Sequence, residues 1–445
     1  MPPQTQCYGI DFREVRFARA MEFTIQQINS RTDLLPGIKL GYRIHDSCST
    51  VPIAIRVAFQ LANGFDTDFN ESSSCSKFAA TTVPAIIGDS ASTQSISIAR
   101  VLGLFGIPQV SHSSTCSCLS DKNQYPAFFR TIPSDQHQAA ALARIVKHFG
   151  WTWIGAIRSD SDYGNSAMAA FLKAAQAEGI CVEYSEAYYR TQPRSKLEKV
   201  ANVIRRSTAR VVLAFMHTGD MRVLLEELAR QPTPPLQWIG SEAWITDPDI
   251  LQYNLCAAAI GFGVPRSVIP GLREFLLELT LKKALESPLL TELWESSFSC
   301  HLKGQTGVSE GVRECDGSED IHTIQNPYLD TSQLRITNMV YKATYAIAHA
   351  IHGLICNGTQ CDKTIQFSPW QVSFDSNGDP PAVYELINWQ FKNSGALDFV
   401  TVGQYDSSRP RGQELKLSKN IIWVGGETEV LHNNPDDYKT GRLTY

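Results

Sequence analysis

The chain has 445 residues, of which 43% are hydrophobic and 19% charged, a composition typical of globular proteins. This length is too great for one compact core, so we expect two lobes of about 150 to 200 residues each. The net charge of −5 and the scattered basic residues argue against a nucleic-acid partner, and no apolar run is long enough to span a bilayer. The N-terminus lacks the basic and apolar regions of a signal peptide.

Hydrophobic periodicity predicts a regular alternation of helices and strands. In the first 240 residues the predicted elements are helices at 14–31, 51–62, 95–105, 136–149, 166–178, 197–205 and 221–230, and strands at 38–44, 83–87, 107–110, 151–157, 180–184, 210–215 and 237–240. Later elements are a strand from 258, a helix opened by Pro270, an irregular polar segment at 300–329, a helix at 335–354 and strands at 372–374, 384–391 and 421–424. Such alternation predicts an α/β fold whose ligands bind at the carboxyl ends of parallel strands.

Two neighbouring strands in the stretch 86–135 each end in a cluster of hydroxyl residues. Ser90 and Ser92 follow the first strand at a predicted helix start, and 111–115 follows the second. A helix N-terminus has unpaired N–H groups and a partial positive charge, so this point would suit a small anion such as a carboxylate. The alternative is that both serines only cap the helix and that 111–115 is an ordinary polar loop.

Later strands end in groups that suit a cation. One strand leads to Tyr163, and a later one leads to Glu242. A zwitterion that bridges two lobes would place its carboxylate on Ser92 and Thr115 and its ammonium on Glu242. The alternatives are that Glu242 is a solvated loop acid and that Tyr163 is a packed aromatic residue beside a turn.

The chain has 11 cysteines and two glycosylation sequons, at Asn70 and Asn357. Together they favour an oxidising, extracellular setting, and the odd cysteine count leaves at least one thiol unpaired within the chain. No close cysteine pair has a partner at zinc spacing, and the helical pair His349 and His352 lacks a third ligand in register, so no metal site is predicted. The motifs of serine hydrolases, nucleotide-binding loops and zinc proteases are absent, so we predict no enzymatic activity.

Several motifs that occur in order carry a resemblance from about Cys7 to the C-terminus. They are Leu40-Gly41-Tyr42-Arg43-Ile44, Ile107-Pro108-Gln109-Val110-Ser111, Phe129-Arg130-Thr131-Ile132-Pro133-Ser134-Asp135, Asp162-Tyr163-Gly164 and Ser241-Glu242-Ala243-Trp244. With them the chain resembles the extracellular Venus-flytrap ligand-binding domain of class C G-protein-coupled receptors. Within that class it is most similar to taste receptors type 1, with the calcium-sensing receptor and the vomeronasal type 2 receptors next.

The resemblance implies a two-lobed clamp like the type I periplasmic binding proteins, with a mostly parallel sheet flanked by helices in each lobe. It assigns 1–132 and 266–380 to lobe 1, 133–265 to lobe 2, and 381–445 to the third crossover, the last strands of lobe 2 and the C-terminal return. The family's first strand and its Cys-rich and seven-helix domains are missing here. The chain is therefore expected to bind ligand, and to reach a G protein only through the missing seven-helix domain.

The resemblance also implies a ligand site between the lobes. Its expected residues are Ser92, Thr115 and the backbone near Ser113 for the α-carboxylate of an L-amino acid, Asp135 and Glu242 for the α-ammonium, Tyr163 for the α-carbon, and Arg13 at the mouth. Phe17 and Ile336 stand where glutamate-sensing relatives have basic residues. An acidic ligand side chain is therefore not expected, whereas a neutral or broadly tolerated L-amino acid is.

The same resemblance implies a set of disulfides. The implied pairs are Cys7 with Cys48, Cys300 with Cys315 and Cys356 with Cys361. Cys181 matches the cysteine that bonds the absent Cys-rich domain, and Cys75 lies in a loop that links two protomers in relatives. No cofactor is expected, and the positions of any Ca²⁺ or chloride ions are left open.

The implied mechanism is closure of the two lobes on the ligand, which a dimer of two subunits would convert into a signal. The helices at 51–62 and 95–105 would pair with a second class C subunit, expected to be another taste receptor type 1 subunit, unless their apolar residues are plain core. A calcium-sensing, vomeronasal or olfactory amino-acid receptor is the alternative within the class. A soluble amino-acid carrier and the ectodomain of a receptor guanylate cyclase are the alternatives outside it.

Overall fold

The computed structural model describes residues 7, 9–63, 83–302, 312–355, 373–410 and 412–426. Its helices are α1 (Phe12–Ser30), α2 (Val51–Asn63), α3 (Ser92–Phe105), α4 (Asp135–His148), α5 (Asp162–Ala177), α6 (Arg194–Arg206), α7 (Thr218–Ala229), α8 (Glu242–Ile245), α9 (Leu272–Leu277), α10 (Leu281–Ala284), α11 (Pro288–Phe298) and α12 (Arg335–Ile355). Its strands are β1 (Ile86–Ile87), β2 (Gln109–Ser111), β3 (Phe128–Arg130), β4 (Trp153–Ser159), β5 (Cys181–Tyr188), β6 (Val211–Phe215), β7 (Gln237–Gly240), β8 (Ile260–Gly263), β9 (Cys300–His301), β10 (Arg313–Glu314), β11 (Val383–Phe391), β12 (Leu397–Asp406) and β13 (Leu415–Leu417).

The smaller lobe is built on a parallel sheet of three short strands in the order β1-β2-β3. Helices α1 and α12 pack together beside this sheet, and α2 packs on α3. Helix α1 begins where the Asp11 carboxylate accepts the backbone N–H groups of Arg13 and Glu14 at 2.9 and 3.2 Å, which satisfies two of the unpaired donors of its first turn. This cap fixes the position of the first turn of α1, which carries Arg13 and Glu14.

The larger lobe contains an eight-stranded sheet in the order β13-β12-β11-β8-β7-β6-β4-β5. Strands β4 to β8 run parallel, and β11 to β13 add an antiparallel edge. Because helices cover both faces of a parallel sheet, its central strands are apolar along their whole length, as Val211–Phe215 shows. The two faces form separate cores that bury five tryptophans, which are Trp151, Trp238, Trp244, Trp389 and Trp423.

Three connections join the lobes, between β3 and α4, between β8 and α9, and between α12 and β11. A buried ion pair of 2.6 Å between Arg130 Nε and Asp379 Oδ1 ties the first connection to the third. The Thr131 hydroxyl donates to the Met339 carbonyl at 2.8 Å and ties the first connection to α12. The first and third connections are therefore joined by an ion pair, and the first is also hydrogen-bonded to α12.

The predicted α/β fold with parallel sheets and flanking helices is confirmed, and most predicted elements lie within a few residues of the observed ones. The strand predicted at 38–44 is wrong, because that segment is not paired in any sheet. The strand predicted at 421–424 is wrong for the same reason, and 83–87 is reduced to the two residues of β1. Strands β12 and β13 were not predicted. In the described part of the chain no helix is both long and apolar enough to cross a bilayer.

The structure joins Cys7 to Cys48 and Cys300 to Cys315 as disulfides, and it also joins Cys116 to Cys118, a pair that was not predicted. Cys181 is an exposed thiol and Cys256 a buried one. Five residues with predicted roles lie outside the described ranges, which are Cys75, Cys356, Cys361, Asn70 and Asn357.

Candidate functional site

The two lobes meet across a closed cleft. At its mouth, the guanidinium of Arg13 on α1 donates from Nη1 to Asp247 Oδ2 of the larger lobe at 2.8 Å. Deeper in, the hydroxyl oxygens of Ser117 and Ser166, which belong to opposite lobes, are 2.9 Å apart. Side chains of the two lobes therefore contact each other directly across the cleft.

The N-terminus of α3 forms the wall of the smaller lobe. Its capping position is Ala91, which has no side-chain cap, so the alternative that Ser90 and Ser92 merely cap this helix is wrong. The buried hydroxyl of Ser92 instead accepts the backbone N–H of Cys116 at 3.2 Å. Because its acceptor role is fixed by that bond, the Ser92 hydroxyl can turn its proton towards an anion at the helix N-terminus.

The second hydroxyl cluster is partly an internal scaffold. The hydroxyls of Ser111 and Ser114 donate to the Asp89 carbonyl at 2.8 and 3.0 Å, which fastens this loop to the turn before α3. Thr115 is buried, and its carbonyl accepts the backbone N–H of Asp135 at 2.8 Å. Ser113 is half-buried, and its N–H makes a long 3.4 Å contact with the Ser111 hydroxyl. Ser113 and Thr115 thus remain at the cleft, whereas Ser111 and Ser114 hold the loop in place.

Two buried carboxyl groups form the wall of the larger lobe. Asp135, at the first turn of α4, is 1% exposed, and burial raises its pKa to about 7, against the opposing effects of a hydrogen bond from Thr115 and the charge of Arg130. Glu242 opens α8 and is 8% exposed, and burial raises its pKa to about 7 as well. The negative charge of Glu242 also contributes to the raised pKa of Asp135. Both acids are therefore poorly solvated, and Asp135 lies within the electrostatic range of Glu242.

Two tyrosines pack beside these acids. The Tyr163 hydroxyl donates to the Ser241 hydroxyl oxygen at 2.8 Å, next to Glu242. Burial raises the pKa of Tyr163 and of Tyr384, and the charges of Asp135 and Glu242 raise both further. Among the described residues, neither Asp135 Oδ2 nor the Tyr384 hydroxyl has a hydrogen-bond partner. An unpaired buried carboxylate oxygen is costly, and a donor from outside the chain would lower that cost.

The contacts that cross the cleft connect the two walls. Cys116, which donates its N–H to Ser92, places its sulfur 3.8 Å from the carbonyl oxygen of Asp162, beside Tyr163. Within the larger lobe, the Glu242 N–H donates to the side-chain oxygen of Gln138 on α4 at 3.3 Å. Cys116 therefore links the N-terminus of α3 to the start of α5 in the larger lobe, beside Tyr163.

Arg13, predicted to lie at the mouth of the site, uses its guanidinium in the ion pair with Asp247. The next residue, Glu14, is half-buried and accepts a hydrogen bond from the Ser90 hydroxyl at 2.8 Å. Tyr384, Asp247 and Glu14 were missed by sequence reasoning. Tyr384 begins a predicted strand and Glu14 lies on a predicted helix, so neither position carries a local signal for a binding role.

The clusters of metal-ligand type in the described ranges do not form a metal site. The two candidates, Cys7 with Asp46 and Cys48, and Cys300 with Cys315 and Glu319, both depend on cysteines that are already joined in disulfides. His352 is also engaged, because its Nδ1 accepts the Leu35 N–H at 3.2 Å.

Comparison with known proteins identifies relatives over most of the chain. Residues 16–392 match the family described as "Receptor family ligand binding region". The chain is 34% identical to the mouse extracellular calcium-sensing receptor over 97% of the chain and 45% of that receptor. It is 29% identical to rabbit metabotropic glutamate receptor 6, covering 92% of the chain and 51% of the receptor. It is also 29% identical to dog taste receptor type 1 member 2, covering 95% of the chain and 51% of the receptor.

The chain thus spans about half the length of the curated relatives it matches. These relatives are receptors and not enzymes, and nothing in the comparison indicates a cofactor. The resemblance drawn from the ordered motifs is confirmed at the level of the family.

Proposed function

The chain belongs to the family of receptor ligand-binding regions, and on that premise we propose that it is the extracellular ectodomain of a class C G-protein-coupled receptor that binds a free L-amino acid between its lobes. The observation that carries this proposal is the buried Oδ2 of Asp135, which has no hydrogen-bond partner among the described residues and lies within the electrostatic range of Glu242. Disulfides such as Cys300–Cys315 suit the oxidising environment outside the cell.

The ammonium group of an amino acid would be bound by the larger lobe. It would approach Asp135 and Glu242, both of which lose solvation when the cleft closes, and Tyr163 would cover the α-carbon. Because the pKa of each acid is raised to about 7 by burial, a nearby ammonium would restore the ionised forms and gain charge-assisted hydrogen bonds. This arrangement favours a protonated amine over a neutral donor.

The carboxylate would be bound by the smaller lobe. The first-turn N–H groups of α3 have no carbonyl partner within the helix, and the Ser92 hydroxyl lies among them. Ser113 and Thr115 border the same space. Neutral donors together with the helix dipole bind a carboxylate without a competing basic side chain.

Ligand binding would act by shifting the population of closed receptors. A molecule that contacts both lobes binds the closed form more tightly than the open form, and the difference in affinity sets the shift. The ion pair between Arg13 and Asp247 crosses the mouth and would form with closure.

A dimer would convert closure into a signal, and the surface of α2 and α3 supports this proposal. Phe59 and Phe105 are exposed and contact each other with ring centroids 6.4 Å apart, and Leu104 is 84% exposed. The inner faces of the same helices pack together through buried residues such as Ala58 and Leu102. The helices therefore carry both a core face and an apolar outer face, which suits pairing with a second class C subunit. A G protein would be engaged only through a seven-helix domain.

Which type of class C receptor the chain belongs to is also proposed here from its relatives. The taste receptor interpretation and its taste-type partner are supported by a relative of 29% identity, whereas the calcium-sensing receptors reach 34%. These identities favour a place nearer the calcium-sensing receptors than the sequence motifs predicted.

A thermal-shift screen of the twenty L-amino acids, each beside its D-enantiomer, tests the proposed function. We expect at least one L-amino acid to raise the melting temperature and its D-form to have a much smaller effect. The Asp135→Asn variant should lose the shift while remaining folded by circular dichroism. If no amino acid shifts the wild-type protein, or if the variant responds equally, the proposed site is wrong.

A further inference from the structure

Resting on the proposed function, we propose that Glu14, together with Ser90 and His112, forms a subsite that selects L-amino acids with a positively charged side chain. The preferred ligand class would carry a guanidinium or an ammonium group at the end of a methylene stem. This goes beyond the expectation of a neutral or broadly tolerated side chain drawn from Phe17 and Ile336, because it assigns the charge of the ligand.

The position of Glu14 places it at the cleft. It directly follows Arg13, whose guanidinium reaches across the mouth to Asp247. Its carboxylate accepts from the hydroxyl of Ser90, which is two residues before Ser92 at the start of α3. The subsite is therefore next to the proposed carboxylate site and on the same wall.

The hydrogen bonds of this cluster determine its charge. The Ser90 hydroxyl has one proton, which it donates to Glu14 Oε2 at 2.8 Å, so His112 Nε2, 2.9 Å from the same hydroxyl oxygen, must carry a proton and donate to it. The Nδ1 atom of His112 then lacks a proton and has no partner in the described part of the chain. Burial lowers the pKa of His112 to about 4, so the ring is neutral and does not offset the charge of Glu14.

The neighbouring cation Arg13 forms its ion pair with Asp247 at 2.8 Å, but its charge still acts on Glu14 and opposes the rise in the pKa of that carboxyl group. Arg335 pairs with Glu385 at 2.7 Å. No salt bridge to Glu14 is formed within the described ranges. One hydroxyl is a weak counterpart for a carboxylate, and burial raises the pKa of Glu14 to about 7. A cationic group from the ligand would complete this site.

The walls around Glu14 suit the stem of such a side chain. The ring of Phe17 lies edge-on to His112, with centroids 5.4 Å apart, and Phe17 is buried. Long basic side chains pack their methylene groups on apolar surface and keep the charged end at a polar group. Phe17, on the same helix as Glu14, would cover the stem and leave the charged end beside the carboxylate.

Isothermal titration calorimetry with matched ligand pairs tests the assignment. L-Arginine is compared with L-citrulline, whose side chain has a similar shape but no charge. L-Lysine is compared with L-norleucine, whose side chain lacks the ammonium group. Each is titrated into the wild-type protein, into Glu14→Gln, and into the control Glu22→Gln, which changes an acid on the same helix whose partner is Arg19. We expect the wild type and the control to bind arginine at least about tenfold more tightly than citrulline, and Glu14→Gln to reduce that ratio to about twofold or less with little change for citrulline.

The outcomes separate this inference from the proposed function. If the wild type binds amino acids but does not prefer the charged member of either pair, the subsite is wrong and the amino-acid site stands. The subsite is equally wrong if Glu14→Gln keeps the wild-type ratio, or if millimolar Ca²⁺ alone stabilises the wild type and not Glu14→Gln. If no amino acid binds the wild type, the proposed function itself fails, and this inference fails with it. The wild-type ratios decide the question even if the variant does not fold.

Discussion

The two walls of the cleft satisfy their polar groups in opposite ways. On the smaller lobe, the Ser92 hydroxyl accepts the Cys116 N–H and the Ser114 hydroxyl donates to the Asp89 carbonyl, so these hydroxyl groups are held by the protein itself. On the larger lobe, Asp135 and Glu242 are buried together with raised pKa values, and one oxygen of Asp135 has no partner among the described residues.

This difference indicates which wall carries the energy of recognition. The hydroxyl wall is preformed, so it contributes ordinary hydrogen bonds and fixes the geometry. The acidic wall is destabilised when empty, so a ligand ammonium gains both its own interactions and the relief of that cost. Changes to the acidic wall should therefore have larger effects than changes to the hydroxyl wall.

The largest effect is expected from Glu242→Gln. Loss of one buried charge beside the ammonium should weaken amino-acid binding about 100-fold, because buried charge-assisted hydrogen bonds contribute about 2 to 5 kcal/mol. Calorimetry with the best ligand of the thermal-shift screen measures it. The control is Glu226→Gln, an exposed acid of the same lobe that accepts from the Tyr253 hydroxyl. Binding by Glu242→Gln within about threefold of the wild type would remove Glu242 from the site.

The stability of the empty protein should change in the opposite direction. The pKa of Asp135 is raised to about 7 in the folded state, so the folded protein binds more protons than the unfolded chain between about pH 4 and 7, and the free energy of unfolding falls as the pH rises through that window. Asp135→Asn removes this cost and should stabilise the ligand-free protein by about 2 kcal/mol more at pH 8 than at pH 5. Urea unfolding at both pH values checks it. Equal destabilisation at both would contradict a desolvated carboxylate.

Affinity should also depend on pH with a defined sign. An ammonium favours the ionised acids, so amino-acid binding should tighten about tenfold between pH 6 and pH 8 and release protons, as calorimetry in buffers of different ionisation enthalpy detects. His217, which packs on Tyr163, has its pKa lowered by burial, which favours its neutral form. Affinity that is constant or falls as the pH rises would show that the acids do not hold the ammonium.

The smallest effect is expected on the hydroxyl wall. Ser92→Ala should weaken binding about fivefold, the contribution of one hydroxyl, because the N–H groups of α3 remain. Ser97→Ala is the matched control, since the Ser97 hydroxyl bonds to the Thr93 carbonyl one turn back in the same helix at 3.0 Å. If Ser92→Ala weakens binding as much as Glu242→Gln, the assumed division between the two walls is wrong.

Much of the fold could be predicted from the sequence, because the parallel strands of the larger lobe are continuous apolar runs, as in Val211–Phe215. The short strands of the smaller lobe could not, since β1 has two residues and too little pattern to delimit it. Strand β12 was not predicted, although several of its polar and apolar residues alternate. Most of its residues are half-buried, so the two faces of this strand differ little. In the site, strand ends and family motifs pointed to Ser92 and Glu242.

The remaining site residues depend on tertiary structure. Glu14 resembles any polar residue of an amphipathic helix until Ser90 and His112 are placed against it. Tyr384 looks like an ordinary aromatic residue of a strand, and only the fold places it within the field of Asp135 and Glu242. The spacing of residues along the sequence does not indicate these long-range contacts.

The central claim is that the cleft binds both ends of one zwitterion, and a calorimetric comparison of three ligands tests it most directly. L-Norleucine carries both charged groups, pentylamine lacks the carboxylate, and hexanoate lacks the ammonium. We expect norleucine to bind and each single-ended analogue to bind at least about 100-fold more weakly, because each analogue lacks the charged group that one lobe would bind. If either analogue binds within about fivefold of norleucine, one wall contributes nothing and the two-sided account is contradicted.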